Sequence, residues 1–344
     1  MQVSSNRIYH FRGTPKEIGL AMGRALGERL EHNIRRYMSR RPPRPDAVDM
    51  DKLRTGALPW LRSLPTRFQE EFEGLADGAN LPLQRLAEWA YIEQCVQEES
   101  CSGFVCSLTG QVWVGRNNDM PVPDMWGYLS IREVAGRIPT MCFSLEGDVF
   151  APTGYNRDKL WLHCHYLPVS ETPRAGRPHL PSYVLLTEAL ETCSTLREVE
   201  ALLDRVDRDD GMLLFAVDGK TAEFAIFECA SSDYAKRLPE GPWLIGTNHA
   251  ITRETKGPSA DSVARYCRME ELVSALWAKD SLKTPTNLIA ILADDGVEKR
   301  HANYGTVYAN VACPGSGEIW YTLGGYPAAS HGHWQRVVVP WEQG

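Results

Sequence analysis

The hydrophobic pattern of this 344-residue chain changes period at Cys101. Before it, apolar residues recur every three to four positions, as on one face of a helix. After it, apolar and polar residues alternate in short runs, as in strands. Strand blocks separated by helix pairs point to a layered α+β fold, with sheets packed on each other and helices outside. The reading is a helical segment over 1–100 and a second unit over 101–344. With 43% hydrophobic residues, the chain can bury a sizeable core.

In the first segment, Thr14-Pro15-Lys16-Glu17 forms a capping box with proline at the first helical position. Ile18, Met22, Leu26, Leu30, Ile34 and Met38 follow at steps of four and predict one long amphipathic helix. Gly19, Gly23 and Gly27 lie on its neighbouring stripe. Glycine costs helical propensity, so a close-packed partner is expected there. Further helices are predicted over 52–61, 66–77 and 82–96, the last running into the polar stretch Gln97-Glu98-Glu99-Ser100. Beyond Cys101, strands are predicted at 103–108, 111–116, 127–133, 140–145, 159–165, 211–217, 222–229, 242–247, 305–311, 317–323 and 335–339. Helices are predicted near 183–192, 196–206, 261–277 and 285–293. The Pro/Gly-rich stretch 168–181 reads as a loop that covers a site or joins elements.

Composition excludes several classes. A net charge of -7 argues against nucleic acid as partner. The one dense basic cluster (Arg35, Arg36, Arg40, Arg41 and Arg44, among prolines) reads as a helix end entering a loop. No apolar run approaches the length of a membrane helix. Met1–Arg7 offers no apolar core for a signal peptide. Nine cysteines, without CxxC spacing, fit reduced thiols and a cytoplasmic location. His163-Cys164-His165 and His331-Gly332-His333 lack a clear third ligand and read as structural or solvated rather than metal-binding.

Chemistry concentrates where the pattern changes. Cys101–Leu108 and Gln111–Asp119 read as two strands joined by a tight turn at Thr109-Gly110. Folding there pairs residues whose numbers sum to about 219. Cys101 then falls opposite Asn118, beside Arg116 and Asp119, so a thiol, a guanidinium and a carboxylate meet at one hairpin end. Cys106, farther along the strand, reads as core.

These residues resemble the start of the catalytic chain in N-terminal-nucleophile hydrolases. Cys101-Ser102-Gly103-Phe104-Val105-Cys106, followed by Gly115-Arg116-Asn117-Asn118-Asp119, is similar to the isopenicillin-N (penicillin) acyltransferase-like family. Choloylglycine hydrolases and acid ceramidase are more distant relatives. Pro15–Gly19 with Gly23 resembles the family's opening helix, and Glu71–Ala79 its propeptide helix. Gly154-Tyr155-Asn156 resembles its G-x-N turn. Gly246-Thr247-Asn248-His249 resembles its oxyanion-site motif, and Ser262–Arg268 the arginine-bearing helix that follows. The sequence departs from the pattern at Ser100 and Lys159, where the resemblance implies glycine.

The resemblance implies a four-layer αββα sandwich and self-cleavage between Ser100 and Cys101. The new terminus carries thiol and α-amine on one residue, so nucleophile and base need no histidine, metal or cofactor. Asp119 is expected to orient the α-ammonium or a bridging water. Arg116 is expected to stabilise thiolate and help hold Asp119. Asn248 is expected to offer its NH₂ to the oxyanion, and Asn156 a further contact to the amine or oxyanion. Tyr155 and Arg265 are expected to bind substrate. The implied activity is hydrolysis of a linear carboxamide of a small acylated amine or peptide-like metabolite. Passing the acyl group to an amine, as an acyltransferase, is the first alternative. An unprocessed binding protein is the second. The partners expected are the small-molecule amide and the chain's own cleaved N-terminal piece, without nucleic acid or membrane; homo-oligomerisation stays open.

Overall fold

The computed structural model describes residues 8–39, 50–95, 101–108, 110–121, 125, 127–253, 257–279, 283–337 and 339–342. Arg40, Arg41, Arg44, Ser100, Thr109 and Trp126 of the sequence reading, with the stretch 97–99, lie outside these residues.

The N-terminal segment opens with a strand that the sequence reading missed, β1 (Ile8–Gly13). Helices α1 (Pro15–Leu26), α2 (Glu28–Ser39), α3 (Met50–Ser63), α4 (Thr66–Ala79) and α5 (Leu83–Cys95) follow. Thr14 and Glu17 close the predicted capping box. The single long helix is instead two, because Gly27 takes φ +52° and ends α1. Gly19 and Gly23 have the close-packed partner their stripe implied. A Cβ on Gly19 would lie 2.0 Å from the Glu71 carbonyl oxygen, and one on Gly74 would lie 2.1 Å from that of Lys16. Helices α1 and α4 thus touch backbone to backbone.

The second unit holds β2 (Ser102–Leu108), β3 (Gln111–Pro121), β4 (Gly127–Val134), β5 (Thr140–Leu145), β6 (Thr153–Asn156) and β7 (Leu160–Leu167). The short β8 (His179–Leu180) precedes α6 (Ser182–Thr192) and α7 (Leu196–Arg205). Then come β9 (Asp207–Arg208), β10 (Gly211–Asp218), β11 (Glu223–Cys229), β12 (Tyr234–Arg237) and β13 (Trp243–Gly246). Helices α8 (Ala260–Trp277) and α9 (Pro285–Leu292) lead to β14 (Arg300–His301), β15 (Tyr304–Cys313), β16 (Glu318–Leu323), α10 (Ala328–His331) and β17 (Gln335–Val337).

The strands form two large sheets. The first has eight strands in the order β1-β4-β5-β6-β7-β10-β11-β12; the second runs β13-β2-β3-β15-β16-β17, with β14 on β15. Inner-face side chains of both sheets share one core, including Val105, Val114, Phe143, Phe215 and Tyr321. Helices α8 and α9 cover the second sheet through Met269, Val273 and Leu288. Helices α6 and α7 cover part of the first through Leu186 and Leu202, and the N-terminal helices cover the rest through Leu30, Phe68 and Phe72. The result is the expected αββα sandwich. Among the described residues, no helix is long and apolar enough to cross a membrane.

The N-terminal segment is woven into this sandwich. β1 pairs parallel with β4, Ile8 against Leu129. Buried ion pairs fasten its helices to the sheet. Arg67 on α4 bridges Glu71 (2.6 Å) and Glu191 of α6 (2.8 Å), and Glu71 also binds Arg132 of β4. Arg29 on α2 binds Glu146 at 2.7 Å.

Lys159 adopts φ +64°, the left-handed conformation that explains why glycine was expected at that position. The 168–181 stretch is pinned to the buried Asp207 by the Arg174 guanidinium (Nε at 3.0 Å). His163 and His165 sit between the sheets, fully buried, over Phe215. Burial lowers both imidazole pKa values well below the usual range, reinforced by each ring's charged or titratable neighbours, Arg116 foremost for His165. The Cys106 thiol faces the α8–α9 layer, and burial pushes its pKa up.

Two predictions follow from this packing. Alanine at Gly19 gains about 1 kcal/mol of helix propensity, but its methyl collides with backbone, and overpacking of this kind costs about 1–3 kcal/mol or more. Gly19→Ala is therefore expected to lower the urea midpoint rather than raise it. The histidine pair makes stability fall with acid. Unfolding frees both rings to bind protons, so stability is full above about pH 6.5 and drops by up to about 1.4 kcal/mol per pH unit per ring below it. His163→Gln is expected to flatten that slope by about one proton, measured by urea unfolding at two pH values.

Candidate active site

β2 and β3 pair in the register that the turn implied, Ser102 with Asn117 and Gly103 with Arg116. Gly110 supplies the turn's left-handed residue at φ +81°. This register sets Cys101 and Asn118 opposite each other at the hairpin end. Period two along β3 turns Arg116 and Asn118 to the inner face, and Asn117 and Asp119 to the helix-covered face.

Cys101 is buried and held at three atoms. Its backbone nitrogen donates to Asn248 Oδ1 at 3.0 Å. Its carbonyl oxygen accepts from Arg265 Nη1 at 2.5 Å. Its Sγ lies 3.5 Å from Arg116 Nη2 and 3.8 Å from Asn118 Oδ1.

Arg116 spans the gap between the sheets. Nη1 donates to Pro152 O and Thr153 Oγ1, and Nη2 to Cys164 O (2.8 Å) and Asn118 Oδ1 (2.6 Å). Burial works against its charge, but Tyr308, Cys101 and Cys164 outweigh that and keep its pKa above the ordinary arginine value. A fixed cation therefore stands beside the thiol.

Asn248 follows β13, and α8 grips it from one face. Ser262 Oγ accepts from its backbone N–H at 2.9 Å, and Arg265 Nη2 donates to its Oδ1 at 3.0 Å. Ser259 caps the helix by accepting from Ser262 N. Asp261 in turn holds Arg265 Nε at 2.9 Å.

Several expectations need correction. Asn248 presents its oxygen to Cys101, because guanidinium only donates; its NH₂ instead donates to Tyr166 O at 2.9 Å. Arg116 does not hold Asp119, since the two point to opposite faces of β3. Asp119 accepts from Thr306 Oγ1 at 2.6 Å, and burial raises its pKa despite the nearby Arg265. Asn156, the last residue of β6, is spent on backbone groups after it and at the end of α6. Its Nδ2 donates to Leu190 O and Cys193 O, and its Oδ1 accepts from the Asp158 and Leu160 amides. Its segment is a strand, not a turn. Tyr155 is fully buried in the sandwich core and donates to Pro314 O. Arg265 lies behind Cys101, 4% exposed, with its Nη1 on the Cys101 carbonyl oxygen, as a support for that residue. Ser262 and Asn118 were not singled out as site residues. The i, i+3 spacing of Ser262 and Arg265 and the two-residue spacing of Arg116 and Asn118 were their signals.

Comparison with known proteins adds the fold. No protein-family model matches the sequence, and no curated protein matches it. Penicillin V acylase from Agrobacterium tumefaciens superposes with a TM-score of 0.50 at 14% identity, over 65% of this chain and 83% of that one. A mutant conjugated bile acid hydrolase from Clostridium perfringens gives 0.48 at 14% identity, over 70% and 97%. A Caenorhabditis elegans N-acylethanolamine-hydrolyzing acid amidase ortholog gives 0.47 at 15% identity, over 62% and 93%. At 14% identity the likeness to the penicillin V acylase is one of architecture alone: the chain shares that protein's fold over 65% of its length.

Proposed function

We propose that this chain is a self-processing hydrolase of linear carboxamides, with Cys101 as its N-terminal nucleophile. One observation carries the reading: the nitrogen, carbonyl and sulfur of Cys101 each meet a separate buried polar group, Asn248, Arg265 and Arg116. A structural cysteine needs no such grip. The fold shared with a penicillin V acylase supports acyl chemistry at this point.

The chemistry follows from the grip. Cutting the Ser100–Cys101 bond turns an amide nitrogen, which is not a base, into an α-amine with a pKa of about 7.7–8.0. Asn248 Oδ1 holds that nitrogen beside its own thiol. The amine takes the thiol proton as Sγ attacks the substrate carbonyl, and Arg116 stabilises the sulfur's developing charge. Collapse of the tetrahedral intermediate expels the amine product, which leaves with that proton, and gives a thioester. Water then attacks the thioester, the α-amine accepting its proton, and the acid departs as the thiol is restored. The substrate proposed is a small acylated amine or peptide-like amide.

Intact mass of the purified wild type is expected to give two pieces split between Ser100 and Cys101. Cys101→Ala is expected to give one uncleaved mass and no amide turnover; turnover in that variant would remove Cys101 from the mechanism. Asn248→Ala leaves the α-amine unanchored and is expected to cut kcat by about 10²-fold. Asn248→Asp, which keeps the acceptor, is expected to lose less.

A further inference from the structure

We infer that Asn118 is a catalytic residue whose side-chain NH₂ donates to the oxyanion formed at Cys101. This rests on the nucleophile reading of Cys101. It names a donor that neither the motifs nor the resemblance assigned.

The orientation of the Asn118 amide is fixed by its neighbour. Arg116 Nη2 lies 2.6 Å from one of its terminal atoms and has only hydrogens to offer, so that atom is the oxygen. The NH₂ then points away from Arg116. It is buried, on a residue 2% exposed, and no group among the described residues pairs with it. A buried amide donor left unmatched costs free energy, and such groups are rare unless a ligand completes them.

Position says which ligand. Asn118 stands across the hairpin from Cys101 with its side chain on the same face, and its Oδ1 is 3.8 Å from Sγ. The amide of Asn118 is thus within reach of a carbonyl bonded to Sγ, and in this proposal the oxygen of that carbonyl is the partner its NH₂ lacks. The two amides to which the resemblance gave this role are committed elsewhere. Asn156 gives both Nδ2 hydrogens to Leu190 O and Cys193 O. Asn248 turns its oxygen to Cys101 and its NH₂ to Tyr166 O. Arg116 therefore does two things with one nitrogen: it faces the thiol and aims the donor.

The test separates oxyanion stabilisation from thiol reactivity. Alkylation of Cys101 by iodoacetamide forms no oxyanion; acylation by p-nitrophenyl acetate does. Both rates would be followed at Cys101 by mass, with Cys101→Ala as blank. Asn118→Asp keeps the oxygen that Arg116 binds and loses the donor; Asn118→Leu loses both. For Asn118→Asp, whose carboxylate beside Sγ also slows alkylation, acylation is expected to fall roughly 10²–10³-fold further than alkylation does. Asn118→Leu is expected to lose acylation to a similar degree. An Asn118→Asp variant arrested as the uncleaved precursor, folded and with Cys101 still open to alkylation, supports the inference equally, because self-cleavage passes through the same kind of oxyanion. Acylation that stays near wild type in Asn118→Asp, or falls only in step with alkylation, overturns it and leaves Asn118 as a support for Arg116. A wild type that neither splits nor acylates removes the nucleophile reading itself, and this inference with it.

Discussion

The register between β2 and β3 is the constraint on which the candidate site depends. Side chains in a strand alternate with period two, so a slip of one residue would send Arg116 and Asn118 to the helix layer and bring Asn117 and Asp119 inward. What prevents it is apolar burial on both faces. Val105, Val112 and Val114 are buried between the sheets, whereas Phe104, Cys106 and Trp113 are buried against α8 and α9. The same pattern that builds the core therefore aims the polar groups.

Holding a guanidinium at zero exposure is expensive unless its hydrogens are used. Arg116 offsets that cost through its two Nη atoms, which bond across to carbonyls of the opposite sheet, Pro152 and Cys164, while its Nε has no partner among the described residues. Its position is thus set by the packing of two layers, and so is the position of anything it touches. Arg265 works the same way from the opposite side, with one end on Cys101 and the other on Asn248. The site is a junction of the two sheets and α8, not a loop laid on the surface.

Much of this was legible in the sequence because it is local. The Thr14–Glu17 capping box, the hairpin register and the helix spans beyond Lys52 depend on near neighbours, and they agree with the structure to within a few residues. The misses share a cause. β1 carries no clear alternation and becomes a strand only by pairing with β4, more than a hundred residues away. Gly27 lies on the glycine stripe of Gly19 and Gly23, but faces open space and serves as a helix end. Asn156 was assigned by motif, yet two of its four hydrogen bonds go to the backbone that follows it and two to the end of α6. Asp119 was grouped with Arg116 by closeness in sequence, although three residues along a strand is an odd step. Amide orientation at Asn248 and Asn118 depends on which arginine arrives from elsewhere, and no pattern in the chain records that.

The weave of β1 and α4 into the first sheet has a consequence for a chain severed before Cys101. In an unbroken polypeptide, the two parts find each other by closing a loop, at a cost that grows only slowly with length. Once severed, they are separate molecules, and their reunion after denaturation becomes second order in protein. Folding of the precursor should be indifferent to dilution, while recovery of the severed form should fail at low concentration. The peptide link at that point would then act as a single-use assembly aid, present only while the sandwich is first being built.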